Sequence, residues 1–356
     1  MLSLQVGDEG KAVENIAVAR IAHITPFINV LEQIGSPVYS DLERWSLPTV
    51  MAQHPDRYVP AAPVIACFRS IAQREGIEDL GFRASRHWSL SNLNADVLAQ
   101  IRRWPTLHAR LKQFALLCRI EEPDLRLQIL PEGPNVRVIL ELNTPVFDGL
   151  EYANWLQINA MLGLIRGAAG RDFEPQEITM RGAYNPSSDA RNAYPNARLI
   201  TAHKHTSIVV PKALLSRSCA SISTATDTTL NNPCDMRLRR VSDSNLAARL
   251  KLALPTYLGD GYPAVEKAAA IARTSVRSLQ RQLSRLGTSY TELIQQIRFE
   301  EAVKLLTNPQ EKIINIALEL GYEDASHFAR AFRRVAGTCP RDYRKRHILH
   351  YAPLRE

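Results

Sequence analysis

The sequence predicts two folded parts in series, an α+β domain over residues 1–216 and an all-α double helix-turn-helix domain over 244–346, with a tail at 347–356. Three observations carry that division. Apolar and polar residues alternate on both sides of Pro131-Glu-Gly-Pro-Asn, as they do in a β-hairpin. A Ser-, Thr- and Asn-rich stretch interrupts all periodicity within 217–243, the expected linker, which leaves room for a short helix. Beyond it helical spacing returns, and a pattern of short helix, turn and second helix occurs twice, about fifty residues apart.

In the first part, Glu14 to Leu31, Ala62 to Arg74 and Ala95 to Arg119 show helical spacing of apolar residues. Leu125 to Leu130 and Val136 to Leu142 form the expected hairpin. Glu151 to Arg166 returns to helix, and Gln176 to Arg181 and Leu199 to Val210 read as strands. The charge-free stretch Tyr152 to Ile165 is too short to span a bilayer, so it reads as a buried helix. Met1 to Gly10 lacks a basic segment followed by an apolar one. The expectation is a soluble, cytoplasmic chain with no membrane partner.

Chemistry-bearing clusters are sparse. The five cysteines are scattered, with no Cys-x-x-Cys pair, which argues against a disulfide framework and a structural zinc site. His203-Lys-His205 would put two imidazoles on one face of a strand, half of a metal site without a third ligand. Trp88, Trp104 and Trp155 are candidates for lining a pocket, though aromatic residues more often build core. Arg237-Leu-Arg-Arg240 could touch phosphates but fits a solvated linker. No catalytic residue, metal or cofactor is expected.

Charge points elsewhere. The formal net charge is +8, and residues 251–356 hold 17 Lys/Arg against 11 Asp/Glu, so most of the positive field sits in the last third. That is the footprint of a polyanionic partner. Within this region Pro263 to Ala272 reads as a short helix beginning on proline, Arg273-Thr274 turn the chain, and Ser275 can cap Val276 to Leu286. Val276, Leu279 and Leu283 fall on one face of that helix. Arg277, Gln280, Arg281 and Ser284 fall on the other, and Arg and Gln are the side chains that can bond guanine and adenine edges bidentately in a major groove. The second unit repeats the plan. Ile313 to Leu320 is a short, mostly buried helix, Gly321 turns, and Ala325 to Ala336 places Phe328, Phe332 and Val335 inward. Ser326, His327, Arg330, Arg333 and Arg334 face outward. Between the units, Ser289 to Leu306 reads as one helix of about 27 Å, suited to holding two reading helices about one DNA turn (~34 Å) apart.

Gly287-Thr-Ser-Tyr, Arg298-Phe-Glu-Glu-Ala-Val-Lys-Leu-Leu, Ile316-Ala-Leu-Glu-Leu-Gly-Tyr-Glu-Asp-Ala-Ser-His-Phe-Ala-Arg-Ala-Phe-Arg-Arg and Gly337-Thr-Cys-Pro-Arg-Asp-Tyr-Arg resemble the signature of the AraC/XylS transcription regulators. Val335 stands where tryptophan is frequent in that signature, and Cys339 where Ser or Pro is usual. The resemblance implies base contacts by Arg277, Gln280 and Arg281 in the first unit, and by Ser326 and Arg330 in the second. Ser284, His327 and Arg334 join them as outward-facing DNA-binding candidates. The first part resembles the arabinose-binding-type sensor domain of the subgroup that regulates ornithine, arginine and quorum-related genes, on the Leu107 to Ile120 helix, the hairpin and Ile208-Val-Val-Pro-Lys-Ala-Leu-Leu. What this implies is a sequence-specific activator of transcription, not an enzyme. Its implied partners are double-stranded DNA, RNA polymerase, an unidentified small effector and a second copy paired through the first domain. A DNA-repair methyltransferase would need a reactive cysteine in a tight site, and an architectural DNA binder would lack sequence preference. Effector, operator and sign of regulation stay open at this level.

Overall fold

The computed structural model describes residues 16–49, 51–144, 147–219, 233–242, 245–261 and 263–351. It divides into two compact units, one spanning residues 17–243 and one containing the described residues from 245 onward.

The first unit is α+β. In chain order it runs β1 (Val18–Arg20), α1 (Ile21–Gln33), α2 (Val38–Arg44), β2 (Tyr58–Pro60), α3 (Ala61–Arg74), α4 (Leu80–Arg86), α5 (Ala95–Arg102), α6 (Leu107–Glu121), β3 (Leu125–Glu132), β4 (Asn135–Leu142), α7 (Leu150–Ala169), β5 (Glu177–Arg181), α8 (Ser188–Ala193), β6 (Arg198–His203), β7 (Ser207–Pro211) and α9 (Pro233–Ser242). Strands β3 to β7 make one sheet in the order β3-β4-β7-β5-β6. The β3–β4 hairpin is antiparallel with Leu125 opposite Leu142, and β5–β6 is the parallel pair. Helix α7 packs on β4, β5 and β7, burying Trp155, Ile158, Met161, Leu162 and Ile165. Helix α4 approaches α7 so closely that a Cβ on Gly81 would lie 2.8 Å from Tyr152 Cδ1, so only glycine fits there.

Several expectations are corrected. The helix expected from Glu14 starts at Ile21; residues 14 and 15 lie outside the described residues, and Val18–Arg20 is a strand paired with Tyr58–Pro60. Arg20 locks that strand end by bonding Asp56 at 2.7 Å and pairing with Glu121. The helix expected over 95–119 is two helices. Pro105 has no N–H to continue α5, and the Thr106 hydroxyl restarts the chain by accepting from Ala109 N at 3.3 Å. The strand expected over 199–210 is also two, because residues 204–206 turn the chain between β6 and β7. His203 therefore ends β6 while His205 lies in the turn, its Nδ1 3.2 Å from Glu141 Oε1. Among the described residues, no group of three or more His, Cys, Asp or Glu could hold a metal ion. Of the tryptophans, Trp155 is core, stacked on Tyr194, and Trp104 is exposed. The described parts of the expected linker are 217–219, where Ser218 pairs with Thr106 and Cys219 is buried, and helix α9, with Cys234 and Val241 buried and Arg237 Nε bonded to Asp96 Oδ2 at 3.2 Å. Residues 220–232 lie outside the described residues.

The second unit is helical: α10 (Leu246–Ala253), α11 (Val265–Ile271), α12 (Val276–Arg285), α13 (Tyr290–Leu306), α14 (Ile313–Glu319), α15 (Ala325–Ala336) and α16 (Pro340–Tyr351). Leu250, Leu279, Leu283, Ile294, Ile297 and Ala302 are buried at its centre. Among the described residues no helix of either unit is long and apolar enough to cross a membrane.

Candidate DNA interface

Two helices carry the candidate side chains, and each is set by its cap and by the turn before it. Ser275 caps α12, its side chain accepting from Ser278 N at 3.2 Å. Asp324 caps α15, accepting from His327 N at 2.7 Å. That bond holds the Asp324 carboxyl below its usual range, with help from the Ser326 N–H and the positive charge of Arg330. The turns ahead of the helices share one geometry. Thr274 N bonds Ala269 O in the first unit and Tyr322 N bonds Ala317 O in the second, both at 2.9 Å. Each turn needs one left-handed residue, Arg273 at φ 50° and Gly321 at φ 72°.

The helices then turn their apolar sides inward. Leu279 and Leu283 are fully buried and Val276 is half-buried. In α15, Phe328 and Phe332 are buried, and Phe332 meets Phe299 and Tyr343 at ring separations of 5.3 and 5.2 Å. Val335, expected inward, is 54 % exposed, because it falls in the last turn where the chain reverses at Gly337. Pro263 is also outside the helix it was expected to open. The helix starts at Val265, and the Pro263 carbonyl accepts from Tyr290 Oη at 2.6 Å. Helix α14 is less buried than expected, with Ile314 and Leu318 exposed.

All eight candidate side chains reach solvent: Arg277, Gln280, Arg281 and Ser284 on α12, and Ser326, His327, Arg330 and Arg334 on α15. The four on α12 span two turns of one face, as a groove-reading surface requires. Among the described residues neither Arg277 nor Arg281 has a carboxylate partner, so their donors are uncommitted. Helix α15 differs, since His327 Nδ1 lies 3.7 Å from Asp324 Oδ2.

Sequence reasoning assigned no role to Arg298, which ties the spacer helix to the second turn. Its Nη2 donates to Gly321 O at 2.8 Å, and its guanidinium lies 4.4 Å from the centre of the Tyr322 ring. The pairing is made across 23 residues, so no local spacing marks it. The Asp324 cap was more accessible, since an aspartate directly before an amphipathic run is a start signal in its own right.

Two capped helices with basic outer faces, each behind a tight turn, define a double helix-turn-helix protein of the DNA-binding class. Comparison with known proteins agrees. Residues 268–346 match the helix-turn-helix domain, and residues 35–219, just over half of the chain, match the arabinose-binding domain of the AraC transcription regulator. The chain belongs to the AraC family of transcription regulators. It is 34 % identical over 174 residues to the ornithine utilization regulator of Pseudomonas aeruginosa, covering 48 % of this chain and 51 % of that one. It is 38 % identical over 78 residues to the HTH-type transcriptional activator RhaR of Yersinia pseudotuberculosis, covering 22 % and 26 %. These matches thus span about half and a quarter of the relatives' own lengths. Among solved structures, the transcriptional regulator CdpR from Pseudomonas aeruginosa aligns with a TM-score of 0.42 at 20 % identity, covering 91 % of this chain and 98 % of that one.

Proposed function

We propose that this protein is a sequence-specific transcriptional activator acting on cytoplasmic DNA, in which α12 and α15 read successive major-groove segments. The observation that carries the reading is the set of exposed, uncommitted donors on α12, Arg277, Gln280 and Arg281, backed by the exposed outer face of α15. Ser284, Ser326, His327, Arg330 and Arg334 complete the proposed contacts. The first unit serves as effector sensor and pairing module; activation is the role that the name of RhaR gives that relative, and here it would run through contact with RNA polymerase. The chain is not read as an enzyme. Burial pushes the thiols of Cys67 and Cys118 up to about 12, which leaves them inert as nucleophiles. The test is selection of bound sites from a random DNA pool, followed by titration across ionic strength. Enrichment of a site with two readable segments about one helical turn apart is expected, with a steep negative salt slope. Enrichment of no sequence, with salt-sensitive binding alone, would reduce the protein to an architectural binder.

A further inference from the structure

The first unit contains two adjoining cavities whose walls share His23, Glu122, Ala153 and Leu156. The larger has a volume of about 50 Å³ and opens to solvent. Phe27, Phe68 and Leu156 give it an apolar body, and the polar residues Glu122, Asp124 and Thr144 also line it. The smaller adds Gln157, which is 6 % exposed. Among the described residues no lysine or arginine lines either cavity.

The polar groups are the informative part. Thr144 Oγ1 and Gln157 Oε1 are buried and make no hydrogen bond in the protein. A buried acceptor left unmet destabilises the fold, so such atoms call for a donor. His23 cannot be that donor. Trp88 Nε1 donates to its Nδ1 at 3.1 Å, and its Nε2 lies 3.1 Å from Glu121 Oε2, so both ring nitrogens are committed. Glu121 in turn is held by Arg20 and by Asn94 N at 2.9 Å. Glu122, the next residue, opens onto the cavities instead. Burial, with the fields of Asp124 and Glu121, pushes its carboxyl up to about 8, the direction a bound cation would reverse.

We propose that these cavities bind a small organic ammonium ion, its apolar body against Phe27, Phe68 and Leu156 and its three N–H groups on Glu122, Thr144 and Gln157. This identifies the chemical class of effector, and so rests on the reading of the first unit as a sensor. A carboxylate ligand would find no cationic partner among the described lining residues and would meet the acidic side chains of Glu122 and Asp124. A neutral alcohol offers one donor where an ammonium offers three.

Calorimetry on the full chain tests this with n-hexylammonium and 2-phenylethylammonium, against hexanol, 2-phenylethanol and hexanoate. An ammonium ion should bind at least tenfold more tightly than its alcohol, and hexanoate should not bind. Glu122→Gln should weaken the ammonium tenfold or more while leaving the alcohol unchanged. Ala153→Leu, which fills the shared wall, should weaken both and keeps the test available if the first variant does not fold. Equal binding of ammonium and alcohol, tighter binding of hexanoate, or no binding of either amine at millimolar concentration would overturn the proposal. Operator occupancy is measured separately. Ammonium binding that leaves it unchanged upholds the site and removes only the sensor role.

Discussion

The two helix-turn-helix units solve one problem with different residues. Both turns need a left-handed backbone. The second supplies glycine and the first supplies Arg273, for which that conformation costs about 1–2 kcal/mol. The reason for glycine in the second is visible in its surroundings. A Cβ on Gly321 would stand 2.5 Å from Leu258 O and 2.8 Å from Gly261 O, whereas Arg273 is exposed. The second turn is thus wedged against backbone and pinned by Arg298, while the first is strained but open. The outer faces differ as well. The α12 arginines are uncommitted, and on α15 Asp324 sits beside His327 and within the field of Arg330. On the proposed function, the first helix-turn-helix is the freer reader and the second the more tightly built anchor.

The largest effect should come from breaking the wedge. Gly321→Ala forces a side chain into a left-handed position and against backbone that cannot rotate away. The two penalties together are on the order of 3 kcal/mol. Hydrogen exchange on the full chain, read peptide by peptide, should show faster exchange over 313–336 with little change over 265–285. Equal acceleration in both spans would mean that the two turns are not independent.

Next come the reading arginines. Arg281→Ala should cost about 1–3 kcal/mol on the selected site and relax preference at one or two base pairs. Arg330→Ala should act about one helical turn away and cost less, because Asp324 already draws on its charge. Repeating the site selection on each variant decides the matter. Uniform weakening of all sequences by both would make these residues phosphate anchors.

How much of this was legible in sequence follows from the range of each interaction. The outer face of α12 was legible because helical period is local: Arg277, Gln280 and Arg281 emerge from the spacing of Leu279 and Leu283 alone. Val335 was misplaced because periodicity describes a face and not how far the neighbouring helix extends along it. His203 and His205 were misread because alternation continues through the turn at 204–206, where nothing in residue type announces a reversal. The cavities were not legible at all. Their walls combine residues as distant as Val18 and Leu156, and Glu122 and Asp124 look in sequence like an ordinary solvated corner between α6 and β3.

The caps offer a sharper test through pH. Ser275→Ala should destabilise α12 by about 1 kcal/mol at any pH, since a hydroxyl does not titrate. Asp324 behaves otherwise. Its folded pKa is lowered, so its contribution is fully present above the ordinary carboxylate value near 3.8 and is lost as pH falls through the depressed one. Asp324→Ala should therefore speed exchange over α15 at neutral pH and become silent in acid. Asp324→Asn should remove the pH dependence while retaining part of the cap. A Ser275→Ala effect that varied with pH in the same way would point to a general acid expansion of the unit.

The smallest effect should be a gain. Arg273→Gly releases the left-handed penalty of about 1–2 kcal/mol but adds about 0.5–1 kcal/mol of unfolded-chain entropy, so a net stabilisation of about 0.5 kcal/mol is expected. Exchange over 265–285 should slow slightly, and Arg273→Asn should match part of the gain, because asparagine tolerates the same backbone. Removal of a positive charge should weaken DNA binding in both variants alike and for every sequence, which separates the backbone effect from the electrostatic one. Faster exchange in the glycine variant would mean that the Arg273 side chain, and not its backbone, holds the first turn. The two units would then differ in contacts and not in strain.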